Sequence, residues 1–412
     1  MGSDRRSPRR VVITGLGAVT SIGIGPREFL AGLRAGRSGV KPISSFDTRG
    51  YAHSNGCEID AFDPGEWIER IDPAELGRAS QFSVAAARMA VEDSGMEQTV
   101  LRRRRSLVSV GTTDGESRDL DDLMAGQLEH GPESLDPRIA RRSAAQLLST
   151  SVVRELALTR VQAVTIPTAC AAGNYAIGSG FDAIRTDEVD IALCGGADAV
   201  CRKTFTGFYR LGTIAPEVSQ PFDADRKGIL TGEGAGILLM ESLESARERG
   251  ARIYAEVLGY GLNCDALHPV APDRDSLAAC IRLAHDNAGV KPEDIDFISA
   301  HGTGTKSNDV TEAGAIRQVF PVPPPTVSIK SMLGHTMGAA SALASAACAL
   351  AITEGFIPPT INHRSTDPEC GLDPVPNRAR PSEVRIVQNN ALAFAGNNAV
   401  LILGRCASDG GR

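Results

Sequence analysis

Short apolar runs alternate with longer stretches of helical spacing along most of the chain. That order predicts an α/β fold whose parallel strands are covered on both faces. Residues 11–14 read as a buried strand ending in Gly15-Leu16-Gly17, and helical spacing follows over 78–94, with Phe82, Ala85, Ala86, Met89 and Ala90 on one side. Residues 107–111 and 163–168 read as strands, 171–185 as a helix of small residues, and 190–193 as a strand running into Gly195-Gly196. A second round then begins. Strands are expected at 253–260, 295–299, 327–329, 385–389 and 400–403, with helices at 275–289 and 338–353. The runs Val11–Gly17 and Ala255–Gly261 occupy equivalent points of the two rounds, which suggests a duplication. Pro321–Pro325 reads as a surface turn, and the charged stretches Glu116–Asp122 and Arg102–Arg105 as solvated surface.

At 412 residues, 42% apolar and 23% charged, the composition is that of a globular chain with two core-forming units. Aromatic residues make up only 4% and glycines number 43, so the core is expected to rest on Ala, Val, Ile and Leu with close backbone approaches. A net charge of −7 argues against a nucleic-acid binder working through a global positive field. The nine cysteines are odd in number, scattered and without a C-x-x-C pair, which argues against a disulfide framework or zinc site and for a reducing cytoplasm. Basic residues ahead of Val11–Gly25 imitate a secretory leader, but glycines at 15, 17, 23 and 25 interrupt the run, and Arg6 breaks the myristoylation pattern. The charge-free stretch Ala339–Ile352 is 14 residues, too short to span a bilayer. The expectation is a cytoplasmic protein with no membrane segment.

Cys170 lies between a strand and a helix of small residues, in Thr168-Ala169-Cys170-Ala171-Ala172-Gly173. A thiol at a helix N-terminus meets unpaired N–H groups and the positive end of the helix dipole, both of which favour the nucleophilic thiolate. The competing reading is a buried cysteine acting as a small hydrophobe. His301, in Ala300-His301-Gly302-Thr303-Gly304-Thr305, and His335, in Gly334-His335-Thr336, stand at glycine-flanked strand ends, where open parallel sheets bind ligands. Lys330, one of six lysines, reads either as a snorkelling surface amine or as a buried cation paired with Glu312 or Asp309 that holds a histidine in place. Two other motifs fail: Gly15-Leu16-Gly17 has Thr20 where a dinucleotide fingerprint needs glycine, and the 170/301 spacing lacks the signature of a papain-like protease.

Together these segments resemble the β-ketoacyl–acyl carrier protein synthases of the ketosynthase I/II type. The resemblance is carried by Val11–Gly17, Thr168–Gly173, Gly195-Gly196-Ala197, Pro221–Gly228, Gly232–Gly236, Ala300–Thr305, Ser328–Ser331 with Gly334-His335, and the Phe394 loop. It implies a thiolase-like, five-layered αβαβα fold built from two similar halves, 9–250 carrying the nucleophile and 251–407 carrying the histidines. It also implies an acyltransferase without a metal or other cofactor, its substrates carried on the phosphopantetheine of an acyl carrier protein. Cys170 would hold an acyl chain as a thioester, and His301 and His335 would assist decarboxylation of a malonyl group and bind the resulting enolate. Lys330, Glu312 and Asp309 would support the histidines, Thr303 and Thr305 would contact the phosphopantetheine arm, and the N–H groups of Cys170 and Phe394 would form the oxyanion hole. The Phe394 ring would gate entrance. The partners implied are the carrier protein and either a second copy or a chain-length-factor-like homologue.

The chain departs from the family at four places, one of them a short segment after Leu211 that runs almost directly into Pro221. The family's gating loop reads G-F-G-G-T-N, against Ala393-Phe394-Ala395-Gly396-Asn397-Asn398 here, and alanine tolerates positive φ poorly, so a stiffer loop is expected. Asp114 stands where relatives place an apolar residue near the acyl pocket; facing that pocket, it would make a saturated fatty chain a poor guest. The 67–81 region has few of the cations relatives use for carrier docking, leaving Arg138, Arg141, Arg142, Arg202, Lys203 and Arg210 as candidates. These departures favour type II polyketide or polyene-like biosynthesis over housekeeping fatty-acid elongation. A non-catalytic partner subunit is the third reading, and the intact Cys170/His301/His335 set argues against it.

Overall fold

The computed structural model describes residues 8–407, so the myristoylation motif lies outside the described residues. Ten strands form the main path of the central sheet. The first half contributes β1 (Val11–Thr20), β2 (Ser106–Gly111), β3 (Val161–Ile166), β4 (Ile191–Asp198) and β5 (Gly234–Ser242). The second contributes β6 (Ala255–Cys264), β7 (Phe297–Ser299), β8 (Thr326–Val327), β9 (Ile386–Leu392) and β10 (Asn397–Gly404). The spatial order is β8-β7-β9-β10-β6-β1-β5-β4-β2-β3. Counted from its outer edge, each half therefore runs third, second, fourth, fifth, first, and the two first strands pair at the centre, Val11 opposite Val257.

The repeat extends to strand direction. In each half the second strand is parallel to the third and fourth, while the fifth is antiparallel to the fourth and first. The expected all-parallel sheet is thus mixed, with one reversed strand per half. In the first half that strand is β5, which the pattern of apolar runs does not separate from its glycine-rich start.

Five layers follow from which helix faces are apolar. Helices α1 (Arg78–Asp93) and α3 (Leu147–Leu156) cover the outer face of the first half-sheet; α2 (Ser117–His130) lies between them in sequence. The outer face of the second half-sheet is covered by α6 (Arg274–Ala288) and α7 (Lys306–Val319), and α5 (Arg202–Arg210) precedes β5. The middle layer is α4 (Ala172–Arg185) against α8 (Ala340–Glu354), each touching both half-sheets. Helix α8 is apolar on all sides and buried from Ala340 to Ile352, as a central helix must be. With its leading turn it spans Met337–Glu354, 18 residues and long enough by length and composition to cross a bilayer, which corrects the 14-residue reading; 89% of it is buried inside the protein. Its start approaches β4 closely, because a Cβ at Gly196 would meet the Gly338 carbonyl oxygen at 2.3 Å and one at Gly338 would meet Thr112 Cα at 2.5 Å. Larger residues at either position would push the middle layer off the sheet.

The stretch 116–122 is solvated only in part, with Leu120 and Asp122 exposed. Glu116 and Asp119 are 1% and 4% exposed. Glu116 accepts the free N–H groups of Ala79 and Ser80 at the start of α1, and Asp119 holds Arg142 through two bonds of 2.8 and 3.0 Å. An N-terminal carboxylate satisfies orphan helix donors and suits the dipole. Of the 102–105 run, Arg105 is held by Asp187 and Asp190 while Arg103 and Arg104 are exposed.

Candidate active site

The middle layer brings both halves' chemistry to one place. Each central helix is entered through a 3-10 turn, Ala169–Ala171 before α4 and Met337–Ala339 before α8. Each turn opens on a non-glycine residue of positive φ, Ala169 at 48° and Met337 at 51°. Such bends cost about 1 kcal/mol each and persist where surrounding packing enforces them. The first aims Cys170 and the second follows His335. His301 arrives from the end of β7. The Cys170 sulfur and ring nitrogens of His301 and His335 lie within 4.8 Å of one another, all buried.

Hydrogen bonds fix which atom each ring offers. His335 Nδ1 accepts the Met337 N–H at 3.1 Å. His335 is itself clamped, its N–H on the Leu230 carbonyl at 2.7 Å and its carbonyl taking the Gly232 N–H at 2.9 Å. Lys330 Nζ donates to the His301 carbonyl at 2.6 Å and stands 3.5 Å from His301 Nδ1. With both Nδ1 atoms facing donors, each neutral ring carries its proton on Nε2. A metal would need a lone pair at Nε2, so this Cys-His-His set suits an anion rather than a cation. Burial, reinforced by the Lys330 charge, holds both imidazoles well below their ordinary value. They are neutral N–H donors at pH 7.

Burial also sets the sulfur's state. It pushes the Cys170 thiol up to about 12, with Lys330 pulling the other way and Asp198 and Asp114 adding to the rise. The thiolate expected from the helix N-terminus alone is therefore not the resting form, because desolvation outweighs it. Alkylation of Cys170 by iodoacetamide should rise with pH through 9 without levelling off near neutrality. Lys330→Ala should make it about tenfold slower at pH 8, since removing the cation lifts the thiol further; an unchanged rate would show that Lys330 does not act on the sulfur.

Lys330 is the buried cation of its two readings, 7% exposed, but it reaches His301 rather than making the expected contact pair with Glu312 or Asp309. Burial pulls it down to about 8, with Glu312 opposing. Glu312 acts on the backbone: its two oxygens accept the N–H groups of His301 and Gly302, each at 2.8 Å. Asp309 accepts the N–H groups of Phe222 and Gly304 and stands 3.5 Å from Arg226 Nε, which also binds Asp367 through Nη1 at 2.6 Å. Burial raises both Glu312 and Asp309 above the ordinary carboxylate range.

Two cavities meet at Cys170. One, of about 170 Å³, is lined by Cys170, His301, His335, Thr303, Thr305 and Phe394. Thr303 and Thr305 share a hydroxyl–hydroxyl bond of 2.9 Å. The other, of about 250 Å³, lies on the far side of Cys170 between Ala169, Lys203, Leu211, Phe208 and Phe394. Phe394 touches both and packs on Phe208 with ring centroids 5.4 Å apart. Its loop takes positive φ at Ala395 (62°) and Gly396 (84°), so alanine sits in the strained position that the altered motif implies. Asp114 stands behind the second cavity, bonded to Thr204 Oγ1 at 2.5 Å and to Lys203 Nζ at 2.9 Å. Its charge reaches the cavity through those partners rather than facing it bare. The pairing uses Lys203 as Asp119 uses Arg142 and Asp136 uses Arg138, which leaves Arg141, Arg202 and Arg210 as the exposed docking candidates outside these ion pairs, Arg202 lying over the Phe46 ring at 5.9 Å.

Three residues of the site escape sequence reading. Asp198 accepts the Thr112 hydroxyl and the N–H groups of Thr113, Asp114 and Gly338, binding β4 to the turn after His335. Arg226 and Phe208 are the others. Arg226 stands in a quoted motif, yet nothing local marks its partners; Phe208 carries no polar signal.

The family model "Beta-ketoacyl synthase, N-terminal domain" matches residues 8–246 and "Beta-ketoacyl synthase, C-terminal domain" matches 254–364. The chain belongs to the β-ketoacyl synthase family and is a condensing acyltransferase of thiolase-like fold. It is 36% identical to the 3-oxoacyl-[acyl-carrier-protein] synthase 2 of Synechocystis sp., over 95% of this chain and 97% of the relative. It is 37% identical to the tetracenomycin polyketide synthase ketoacyl synthase alpha subunit of Streptomyces glaucescens, over 97% and 98%. A solved structure of the ishigamide ketosynthase/chain length factor superimposes with a TM-score of 0.96 at 62% identity, covering 97% of this chain and 100% of that one.

Proposed function

We propose that the chain elongates a carrier-bound acyl chain by decarboxylative Claisen condensation, in type II polyketide or polyene-like biosynthesis. The observation that carries this is the convergence of one sulfur and two Nε2–H donors within 4.8 Å in a buried site opening to two cavities. In the first step the Cys170 sulfur bonds to the acyl carbon, the carrier thioester breaks, and the departing phosphopantetheine sulfur takes the thiol proton. No standing thiolate is required, because the proton has a destination within the exchange. The Cys170 and Phe394 N–H groups receive the oxyanion, and the chain lies in the cavity beyond Phe394. Malonyl-carrier protein then occupies the first cavity, its arm along Thr303 and Thr305. Its carbon–carbon bond to carbon dioxide breaks, and the electron pair becomes an enolate whose oxygen takes two bonds from His301 and His335. The enolate carbon attacks the Cys170 thioester, and the sulfur leaves to be reprotonated. Lys330 and Glu312 support His301 by holding its backbone and charge, and Asp309 supports it by fixing Gly304 in the same loop.

The nucleophile belongs to a first half, residues 9–250, and the histidines to a second, 251–407. The protein works in the cytoplasm with an acidic acyl carrier protein and a second subunit, either its own copy or a chain-length-factor-like homologue. It needs no metal or other cofactor of its own. The similarity to the ishigamide ketosynthase/chain length factor supports the specialised pathway over housekeeping fatty-acid synthesis. With purified partners, unsaturated short acyl-carriers should be elongated at least tenfold faster than saturated C12 to C16 carriers, as read by mass spectrometry of the products; efficient elongation of the saturated chains would favour the housekeeping reading.

A further inference from the structure

Strand β9 carries three consecutive buried amides, Gln388, Asn389 and Asn390, exposed by 0%, 0% and 2%. Alternate residues of a strand point to opposite faces, so neighbouring amides serve different layers. Toward the middle layer, Asn389 Nδ2 shares its two hydrogens among three acceptors, Asn174 Oδ1 (3.1 Å), the Ser341 carbonyl (3.0 Å) and Ser345 Oγ (2.9 Å). Asn174 Nδ2 returns bonds to the carbonyls of Asn389 and Ala399, and the Asn174 N–H donates to Ser341 Oγ. One amide thus ties β9, which continues into the Phe394 loop, to the first turn of α4 just past Cys170 and to the first turn of α8.

Toward the outer layer, Asn390 Nδ2 donates to Glu312 Oε1 at 3.0 Å. Glu312 in turn receives the N–H groups of His301 and Gly302. Gln388 Nε2 fixes the Asn390 oxygen at 2.7 Å, and His285 Nε2 stands 2.7 Å from the Gln388 oxygen. The chain runs from α6 through two strand amides and Glu312 to the backbone of His301 and does not pass through Cys170. Neither Asn389 nor Asn390 lines the two cavities at the sulfur.

We propose that Asn389 and Asn390 are positioning residues that divide the reaction between them. Asn389 sets Cys170 against the Phe394 N–H for acyl transfer, and Asn390, through Glu312, sets His301 for decarboxylation. The inference rests on the function proposed above and assigns separate supports to its two half-reactions. Buried amide networks act this way because their donors and acceptors fit one arrangement of the elements they join. Here the Asn389 side chain is held through Nδ2 alone, its Oδ1 being buried without a partner, and misplacement of a reacting group by a fraction of an ångström is costly.

The test measures the half-reactions separately in the full chain. One is transfer of an acyl group from its carrier to Cys170, read as the protein adduct by mass spectrometry. The other is carbon dioxide release from malonyl-carrier protein without an acyl donor. Asn389→Ala should slow acyl transfer by about tenfold or more and leave decarboxylation within threefold, and Asn390→Ala should do the reverse. Ser341→Ala and Gln388→Met each remove fewer bonds and should give the same split, more weakly, if the alanine variants fail to fold. Parallel losses in both half-reactions, following thermal stability, would overturn the division. A wild-type chain performing neither half-reaction would overturn the proposed function instead, so the two failures are distinguishable.

Discussion

Cys170→Ala should abolish acyl loading and condensation, a loss on the order of 10⁴-fold or more, while leaving release of carbon dioxide from malonyl-carrier protein measurable. The separation follows from the geometry. Among the described residues, Cys170, Phe208 and Phe394 are shared by the two cavities, and of these only the sulfur is a nucleophile, so nothing replaces it where the two cavities meet. The two imidazole donors are held by Met337, Lys330 and Glu312 rather than by the thiol, and they outlast its removal. A thiol buried only as a small hydrophobe would give another result, a stability loss of about 1 kcal/mol with turnover intact. The same variant addresses the partner-subunit reading: if condensation by the assembled system survives Cys170→Ala, another chain carries the nucleophile.

The sequence made some of this legible and left other parts hidden for identifiable reasons. Helices α1, α4, α6 and α8 fall within a few residues of their expected spans, because each joins a continuous apolar face to a strand on either side. The sites of Cys170, His301 and His335 were readable for a local reason too: each stands where a strand gives way to a helix among small residues. Strand direction is not local. The reversal of β5 depends on the path of residues 199–233, whose turns and short helix do not encode the direction of the strand that follows, so the mixed sheet could not be foreseen. Long-range polar pairing was equally hidden. Glu116 and Asp119 look like part of an acidic surface run, and only the fold shows the former against the start of α1 and the latter gripping Arg142. Asp198 and Arg226 show the same limit, since their partners lie up to 141 residues away.

The duplication explains why the site exists between the halves. Equivalent strand orders place equivalent strand ends at the same level, and equivalent strained turns at Ala169 and Met337 open the two central helices side by side. The halves have then diverged in what those turns present. The first offers a sulfur at a helix N-terminus, which suits a group that must bond to carbon and leave again. The second offers a ring locked in one tautomer, which suits a charge that appears and vanishes. A closed, dry pocket penalises the first and strengthens the second.

That asymmetry gives the second large effect. His301→Ala and His335→Ala should each lower malonyl decarboxylation by about 10²- to 10³-fold, the usual loss of one donor to a developing oxyanion in a dry site. Acyl transfer to Cys170 should change far less, because the proposed mechanism gives its oxyanion to backbone N–H groups rather than to the imidazoles. His335→Gln, which restores a side-chain N–H, should recover part of the rate; equal loss in the alanine and glutamine variants would mean the ring acts other than as a donor. The pH profile tests the same point. Burial holds both imidazoles well below 6.5, so they stay neutral above that value and decarboxylation should be flat from pH 6.5 until Lys330, held at about 8, begins to lose its proton. Protonating His335 would set an Nδ1–H against the Met337 N–H that now donates to it. The acid limb should therefore begin well below 6.5. A limb centred at or above that value would mean that the working form of the pair is the imidazolium.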